Sequence, residues 1–283
     1  MSADASGIAL VLVLGMHRSG TSALTRGLRV LGADLGESAL GTSYNPRGLF
    51  EDVRMVRLDD ALLNDSGLDW KSLGAPAPGR LSELARGEAG MRALELLLER
   101  SRGAAGRTAD EGAMIAFKDP RLCRLMPFWR PVAAAAKLSP AGIIVLRHPA
   151  SVAASLAARD GMDARTACAL WTAYTADAVR HTQGMPRICV SYDRLLAEPR
   201  RQMQRLGHFL GVKVDEAELS TFTEGFLDNA LRHHTEAEAP APASPEERQA
   251  CAVYELLAPL AASPDGKGLD EPRLLRRIAR ACA

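Results

Sequence analysis

The chain has 283 residues, 47% of them hydrophobic and 24% charged, with a formal net charge of +1. These proportions fit a globular protein with ample length for a large core, and they exclude a nucleic-acid binder driven by bulk charge while leaving room for a local basic site. No run reaches the ~18 apolar residues of a membrane span, and the start of the chain shows neither a basic n-region nor a cleavage-site pattern, so a cytoplasmic protein without a membrane span is expected.

The first predicted element is a strand over Ile8 to Leu14, an apolar run that breaks at Gly15 and leads into "GMHRSGTS". A helix follows with Leu24, Leu28 and Leu31 along one side. Residues 41 to 50, "GTSYNPRGLF", read as a loop, and a helix is expected from Asp52 to Leu63. A Pro/Gly-rich segment over 74 to 80 separates it from one long helix over 81 to 102. Further strands are expected at "MIAFK" (114 to 118), "AGIIVLR" (141 to 147) and "RICVSY" (187 to 192). Helices are expected from Pro149, over 163 to 183 with Trp171 and Tyr174, and over 199 to 210, the last closed by Gly211. "TEAEAPAPASPE" (235 to 246) reads as a linker or loop, so the expected division is an α/β domain over 1–234, that linker, and a helical extension over 247–283. The basic face of "LLRRIARACA" in that extension is read as solvated. The five cysteines (Cys123, Cys168, Cys189, Cys251 and Cys282) lack any C-x-x-C spacing and read as reduced thiols rather than disulfides or a zinc site.

Alternation of strands and helices implies a parallel sheet covered by helices, with ligands at the carboxyl ends of the strands. The loop after the first strand has the spacing of a Walker phosphate loop, Gly15 and Gly20 with Ser22 in place, but Thr21 stands where the lysine belongs. A glycine turn opening a helix aims backbone N–H groups at one spot, and the helix dipole adds positive potential. Arg18 and the hydroxyls of Ser19, Thr21 and Ser22 add donors, with His17 inside the same loop. The competing reading is a plain strand–turn–helix with a cap at Ser19 or Thr21. A second anion site is expected at "VLRHPASVAAS", where Arg147 ends a strand, Pro149 opens a helix, and Ser151 and Ser155 share a face. Asp119 in "FKDPR" is a conceivable magnesium ligand, but Lys118 and Arg121 compete for it.

Taken in order, "GMHRSGTS", "NPRGLFED", "FKDPRL", Arg147 with Ser155 eight positions on, and "VSYDRLLAEP" resemble the sulfotransferases that use 3′-phosphoadenosine 5′-phosphosulfate (PAPS). The likeness spans roughly residues 8 to 234, is nearest to bacterial sulfotransferase-domain proteins, and extends more distantly to tyrosylprotein sulfotransferases. It implies a P-loop-like α/β fold with helices on both faces of the sheet. Gly15, His17, Arg18, Ser19, Gly20, Thr21 and Ser22 would hold the 5′-phosphosulfate, and Arg147 and Ser155 the 3′-phosphate. Tyr192 would contact the nucleotide or belong to the core. The reaction implied is a metal-independent, in-line sulfuryl transfer to a hydroxyl or amine of a carbohydrate, lipid or secondary-metabolite acceptor, with PAP as product. The loop without its lysine fits, because backbone donors and a fixed cation suffice to meet charge developing on the leaving phosphate.

Within that resemblance Arg18 would stabilise the transition state and Lys118 would approach the sulfonate oxygens, or else pair with Asp119. Glu51 is the first candidate for the base, His17 the rival, and His148 a cap for the following helix. Arg121 would bind acceptor or hold Asp119. The pair in "LRHH" (231 to 234), with Arg232, His233 and His234, would close over the donor and is not read as a metal site, since no third ligand has suitable spacing. The glycine-rich C-terminal 3′-phosphate motif of the cytosolic sulfotransferases has no counterpart here. Competing functional readings are an atypical P-loop small-molecule kinase using ATP and magnesium, and a non-catalytic nucleotide-binding protein. The expected partner is a small-molecule or glycan acceptor, with no nucleic acid; a homodimer is left open.

Overall fold

The computed structural model describes residues 9–36, 48–104, 113–227, 241–263, 268–269 and 271–282. They form an α/β fold around a five-stranded parallel sheet in the order β2-β3-β1-β4-β5. The strands are β1 (Ala9–Leu14), β2 (Ala33–Asp34), β3 (Met114–Lys118), β4 (Pro140–Leu146) and β5 (Arg187–Ser191). Strand β1 lies at the centre, pairing Leu12 with Phe117 of β3 and Val13 with Ile143 of β4. The chain therefore leaves β1 toward one side and returns on the other. That reversal opens a crevice at the carboxyl ends of the strands.

The reason for the two covered faces is visible in β1. Side chains alternate along a strand. Leu10, Leu12 and Leu14 join one apolar cluster, and Val11 and Val13 join the other. The first layer holds α2 (Val53–Asp65), α3 (Pro78–Leu84), α4 (Glu88–Ala104), α5 (Leu122–Ala135), α6 (Pro149–Asp160) and α7 (Ala164–His181), together with α11 (Pro245–Ala262) and α12 (Pro272–Ala281). The second holds α1 (Thr21–Gly27) with the 3-10 turn Leu28–Leu31, α8 (Tyr192–Ala197), α9 (Pro199–Leu210), α10 (Glu216–Ser220) and the π-helical turn Thr221–Phe226. A strand buried on both faces reads as a continuous apolar run, which is why "LVLVL" was legible without alternation.

Several boundaries differ from the sequence reading. The long helix expected over 81 to 102 is two helices, because the chain turns at Arg86 and Gly87. Its first turn begins inside the Pro/Gly segment, where Pro78 supplies a first helical position that needs no N–H donor. Tyr192 opens α8 instead of ending a strand, since the Ser191 hydroxyl accepts from Arg194 N and caps the helix. Ile8 and "LRHH" lie outside the described residues, as does the first half of 235–246; Pro245 and Glu246 already belong to α11. In α11, Val253 and Leu257 are fully buried in the same cluster as Leu12. The five cysteines are free thiols, and burial pushes Cys123, Cys168 and Cys189 up to about 12. No helix among the described residues is long and apolar enough to cross a membrane.

Candidate functional site

Among the described residues, the loop from Gly15, the Lys118–Arg121 turn, Arg147 with the helix after it, and Tyr192 each stand at the carboxyl end of a strand. The loop after β1 is a tight turn in which Ser19 N donates to Met16 O (3.1 Å) and Gly15 N donates to Cys123 Sγ (3.2 Å). Arg18 takes a left-handed backbone (φ 69°) and Gly20, the N-cap of α1, another (φ 90°). Successive residues of alternating hand turn their N–H groups toward one concavity, the form of an anion nest. Glycine is required at position 20 for a second reason: a Cβ there would fall 2.0 Å from Cδ2 of Tyr192. Tyr192 is thus packed against the loop itself. The cap is Gly20 rather than Ser19 or Thr21. The Ser19 hydroxyl is enclosed and has no hydrogen-bond partner among the described residues, whereas Ser22 Oγ donates to Leu49 O (3.1 Å) and ties the loop to the segment carrying Glu51.

The second cation site adjoins the first. Arg147 Nη1 donates to the Arg18 carbonyl (3.1 Å), and its guanidinium lies 4.9 Å from the Tyr192 ring centroid. Arg18 Nε donates to Ser155 Oγ (2.8 Å). Trp171 Nε1 fixes the strand end by donating to Arg147 O (3.1 Å). His148 caps α6, its Nδ1 accepting from Ala150 N (3.3 Å). The loop and the Arg147–Ser155 pair therefore form one continuous cationic surface. Burial lowers the pKa of Arg18, and the neighbouring guanidiniums of Arg159 and Arg147 lower it further; burial lowers that of Arg147 as well. Like charges held this close favour an anion between them.

Across the crevice Lys118, which ends β3, donates from Nζ to Glu51 Oε1 at 2.6 Å. The two candidates are thus a pair, and Lys118 does not bond Asp119. Burial raises the Glu51 pKa, and Lys118 offsets part of that rise. Asp119 is fully buried and accepts from Arg121 through N (2.9 Å) and Nη1 (2.9 and 3.1 Å). Arg121 Nε also pairs with Asp60 at 2.8 Å, so Arg121 holds Asp119, one of its two expected roles.

His17 has its Nε2 enclosed without a hydrogen-bond partner among the described residues, and its ring centroid lies 4.4 Å from that of Trp70 and 6.0 Å from that of Tyr174. Burial, then the charges of Arg121, Arg159, Lys118 and Arg124, hold its pKa well below 6.5, so the ring is neutral. Trp70 escaped the sequence reading. Its loop is fastened from beneath: Arg124, fully buried, donates to the carbonyls of Ser72, Leu73 and Gly74, and Tyr174 Oη donates to Trp70 O (2.8 Å). The Trp70 ring centroid lies 5.0 Å from the Arg159 guanidinium. A lone tryptophan between turn residues in "LDWKSLG" was the available signal.

A family profile described as "Sulfotransferase family" matches residues 11–216. Among solved structures, the chain is similar to a sulfotransferase domain of the olefin synthase of Synechococcus PCC 7002, with 21% identity, a TM-score of 0.49 and coverage of 88% of this chain and 94% of that one. It is also similar to a sulfotransferase domain of the curacin biosynthetic pathway, with 18% identity, a TM-score of 0.45 and coverage of 86% and 96%. No curated protein matches the chain.

Proposed function

This chain belongs to the sulfotransferase family, and from that premise we propose that it moves the sulfuryl group of PAPS to a hydroxyl or amine of a carbohydrate, lipid or secondary-metabolite acceptor. The observation that carries the proposal is the joined cationic surface in which Arg147 bonds the Arg18 carbonyl and Arg18 bonds Ser155. A donor with phosphate at both its 5′ and 3′ ends suits a surface that offers an anion nest at one end and an Arg–Ser pair at the other. Gly15 to Ser22 would receive the 5′-phosphosulfate, Arg147 and Ser155 the 3′-phosphate, and Tyr192 the nucleotide beside them.

In the step we propose, the acceptor oxygen or nitrogen attacks sulfur and the bond from sulfur to the bridging phosphate oxygen breaks. The acceptor proton passes to Glu51, and the negative charge that develops on the leaving 5′-phosphate of PAP is met by Arg18 and the loop N–H groups. A Glu51 that has taken a proton releases its hold on Lys118, whose ammonium then serves the sulfonate oxygens. A carboxylate with a raised pKa is suited to this exchange. His17, neutral and enclosed at Nε2, forms the wall beside the reacting atoms together with Trp70.

The kinase reading fares less well, because Asp119 has both oxygens bonded to Arg121 and is closed to solvent. Calorimetric titration with PAP, ATP and ADP, with and without EDTA, tests the proposal. PAP should bind most tightly and be indifferent to EDTA; a magnesium-dependent preference for ATP would overturn it. Transfer of labelled sulfate from PAPS to an acceptor panel then separates an enzyme from a nucleotide-binding protein.

A further inference from the structure

Besides Glu51 and Asp119, the described residues hold another carboxyl inside the core. Asp59 stands on the inward face of α2 with Met55 and Leu62, and has no exposed surface. Its Oδ1 accepts from Trp129 Nε1 of α5 at 2.8 Å. Its Oδ2 is enclosed, and no donor among the described residues reaches it. Besides Trp129, the side chain within hydrogen-bonding reach of the Asp59 carboxyl is another carboxyl, Asp119.

Two carboxylates in contact inside a core cannot both ionise, and a hydrogen bond between them requires one proton. The donors decide where it sits. Asp119 accepts three contacts from Arg121, two of them charged, which favours its ionised form. Asp59 has one neutral indole donor. We infer that Asp59 is a positioning residue, an un-ionised acid whose O–H bonds the Asp119 carboxylate and so fixes the Lys118–Arg121 turn that carries the cation of the transfer site. The groups facing it are Asp119 and Arg121 from the turn and Trp129 from α5, while Asp60 beside it on α2 pairs with Arg121. Burial first, then the Asp119 charge, push the Asp59 pKa well above the usual carboxylate range, which agrees with this placement.

The inference leans on the proposed function only in giving Lys118 a task; its tests use neither donor nor acceptor, so a failure to bind PAP would sink that function and leave this inference standing. In a difference infrared spectrum at neutral pH, wild type minus Asp59→Asn should show the carbonyl stretch of an un-ionised carboxylic acid. A group with a raised folded pKa contributes stability below its unfolded pKa and loses it as pH rises through the folded value. Asn keeps both bonds without that loss, so Asp59→Asn should melt with wild type at acid pH and above it at alkaline pH. Asp59→Leu should melt below wild type at both. Acetylation of Lys118 by acetic anhydride, read by mass spectrometry, should be as slow in Asp59→Asn as in wild type and several-fold faster in Asp59→Leu. Absence of the difference band, or a loss of stability in Asp59→Asn equal to that in Asp59→Leu, overturns the proton assignment. Equal labelling of Lys118 in all three proteins overturns the positioning role. If Asp59→Leu does not fold, Asp59→Ala, which also lacks the hydroxyl donor, takes its place: Lys118 labelled there no faster than in wild type overturns positioning.

Discussion

The donor-side loop closes on itself within a few residues, Ser19 N reaching Met16 O, whereas the transfer-side pair Lys118–Glu51 joins positions 67 apart in the chain. One region is made of backbone and glycine, the other of side chains brought from three elements. Backbone devices leave local marks, such as a glycine at a fixed offset or a proline at a helix start. Side-chain constellations leave almost none, because each member is an ordinary residue until the fold supplies its neighbour. The comparison predicts that changes on the transfer side should strike turnover while sparing donor affinity, and that changes on the donor side should strike both.

The largest test of that division is Glu51→Gln. It should lower kcat by about 10²–10⁴, the range of a lost general base, with PAP affinity unchanged in calorimetry. His17→Asn, on the donor side, should lower kcat far less than Glu51→Gln does; a collapse there with normal turnover in Glu51→Gln would move the base to the histidine. Next comes Arg18→Ala. Loss of a cation at the leaving oxygen should cost roughly 2.7–4 kcal/mol of transition-state stabilisation, by analogy with an oxyanion donor, and should weaken PAP as well. Its melting temperature should stay close to wild type, because the Arg18 side chain is only half-buried. Smaller again is the Arg147–Ser155 pair. Arg147→Gln should weaken PAP by about 1.5–3 kcal/mol and Ser155→Ala by about 0.5–1.5 kcal/mol, the ranges of charged and neutral hydrogen bonds. Neither should alter affinity for 5′-AMP by as much, and equal losses for both nucleotides would break the assignment of this end to the 3′-phosphate.

The same contrast explains what could be read from the sequence. The central strands were legible because β1 and β4 are short apolar runs bounded by turn residues. The ordered motifs placed Gly15, Arg18, Lys118 and Arg147 at strand ends before any coordinates. The break at Arg86–Gly87 was not legible, since Leu84, Met91 and Leu94 keep an apolar helical spacing across it. Nor was the pairing of Lys118 with Glu51 instead of Asp119, which depends on Arg121 folding back onto the acid between them. Asp59 left a faint trace: an acid four residues after Met55 and three before Leu62 stands on the apolar stripe of its helix. Trp70 and Arg124 left less, because Arg124 holds carbonyls some fifty positions away.

The smallest expected effect is the sharpest on the base. A proton acceptor must be unprotonated to act, so kcat falls as pH drops through its pKa. Burial raises Glu51 from the carboxylate range, while burial and nearby cations lower His17 from 6.5, so the two approach one another and the acid limb of wild type alone does not tell them apart. Their neighbours differ. Arg159 follows burial and Arg121 among the influences depressing His17, whereas the charges acting on Glu51 are those of Lys118, Asp119 and Arg121. Arg159→Gln removes one positive charge from the histidine's surroundings, which raises the imidazole pKa. With His17 as base, the acid limb of kcat at saturating donor would move to higher pH. With Glu51 as base, the limb stays where wild type has it, because the charges that set the carboxylate are untouched. A kcat–pH profile of Arg159→Gln superimposed on wild type after scaling is the expected result.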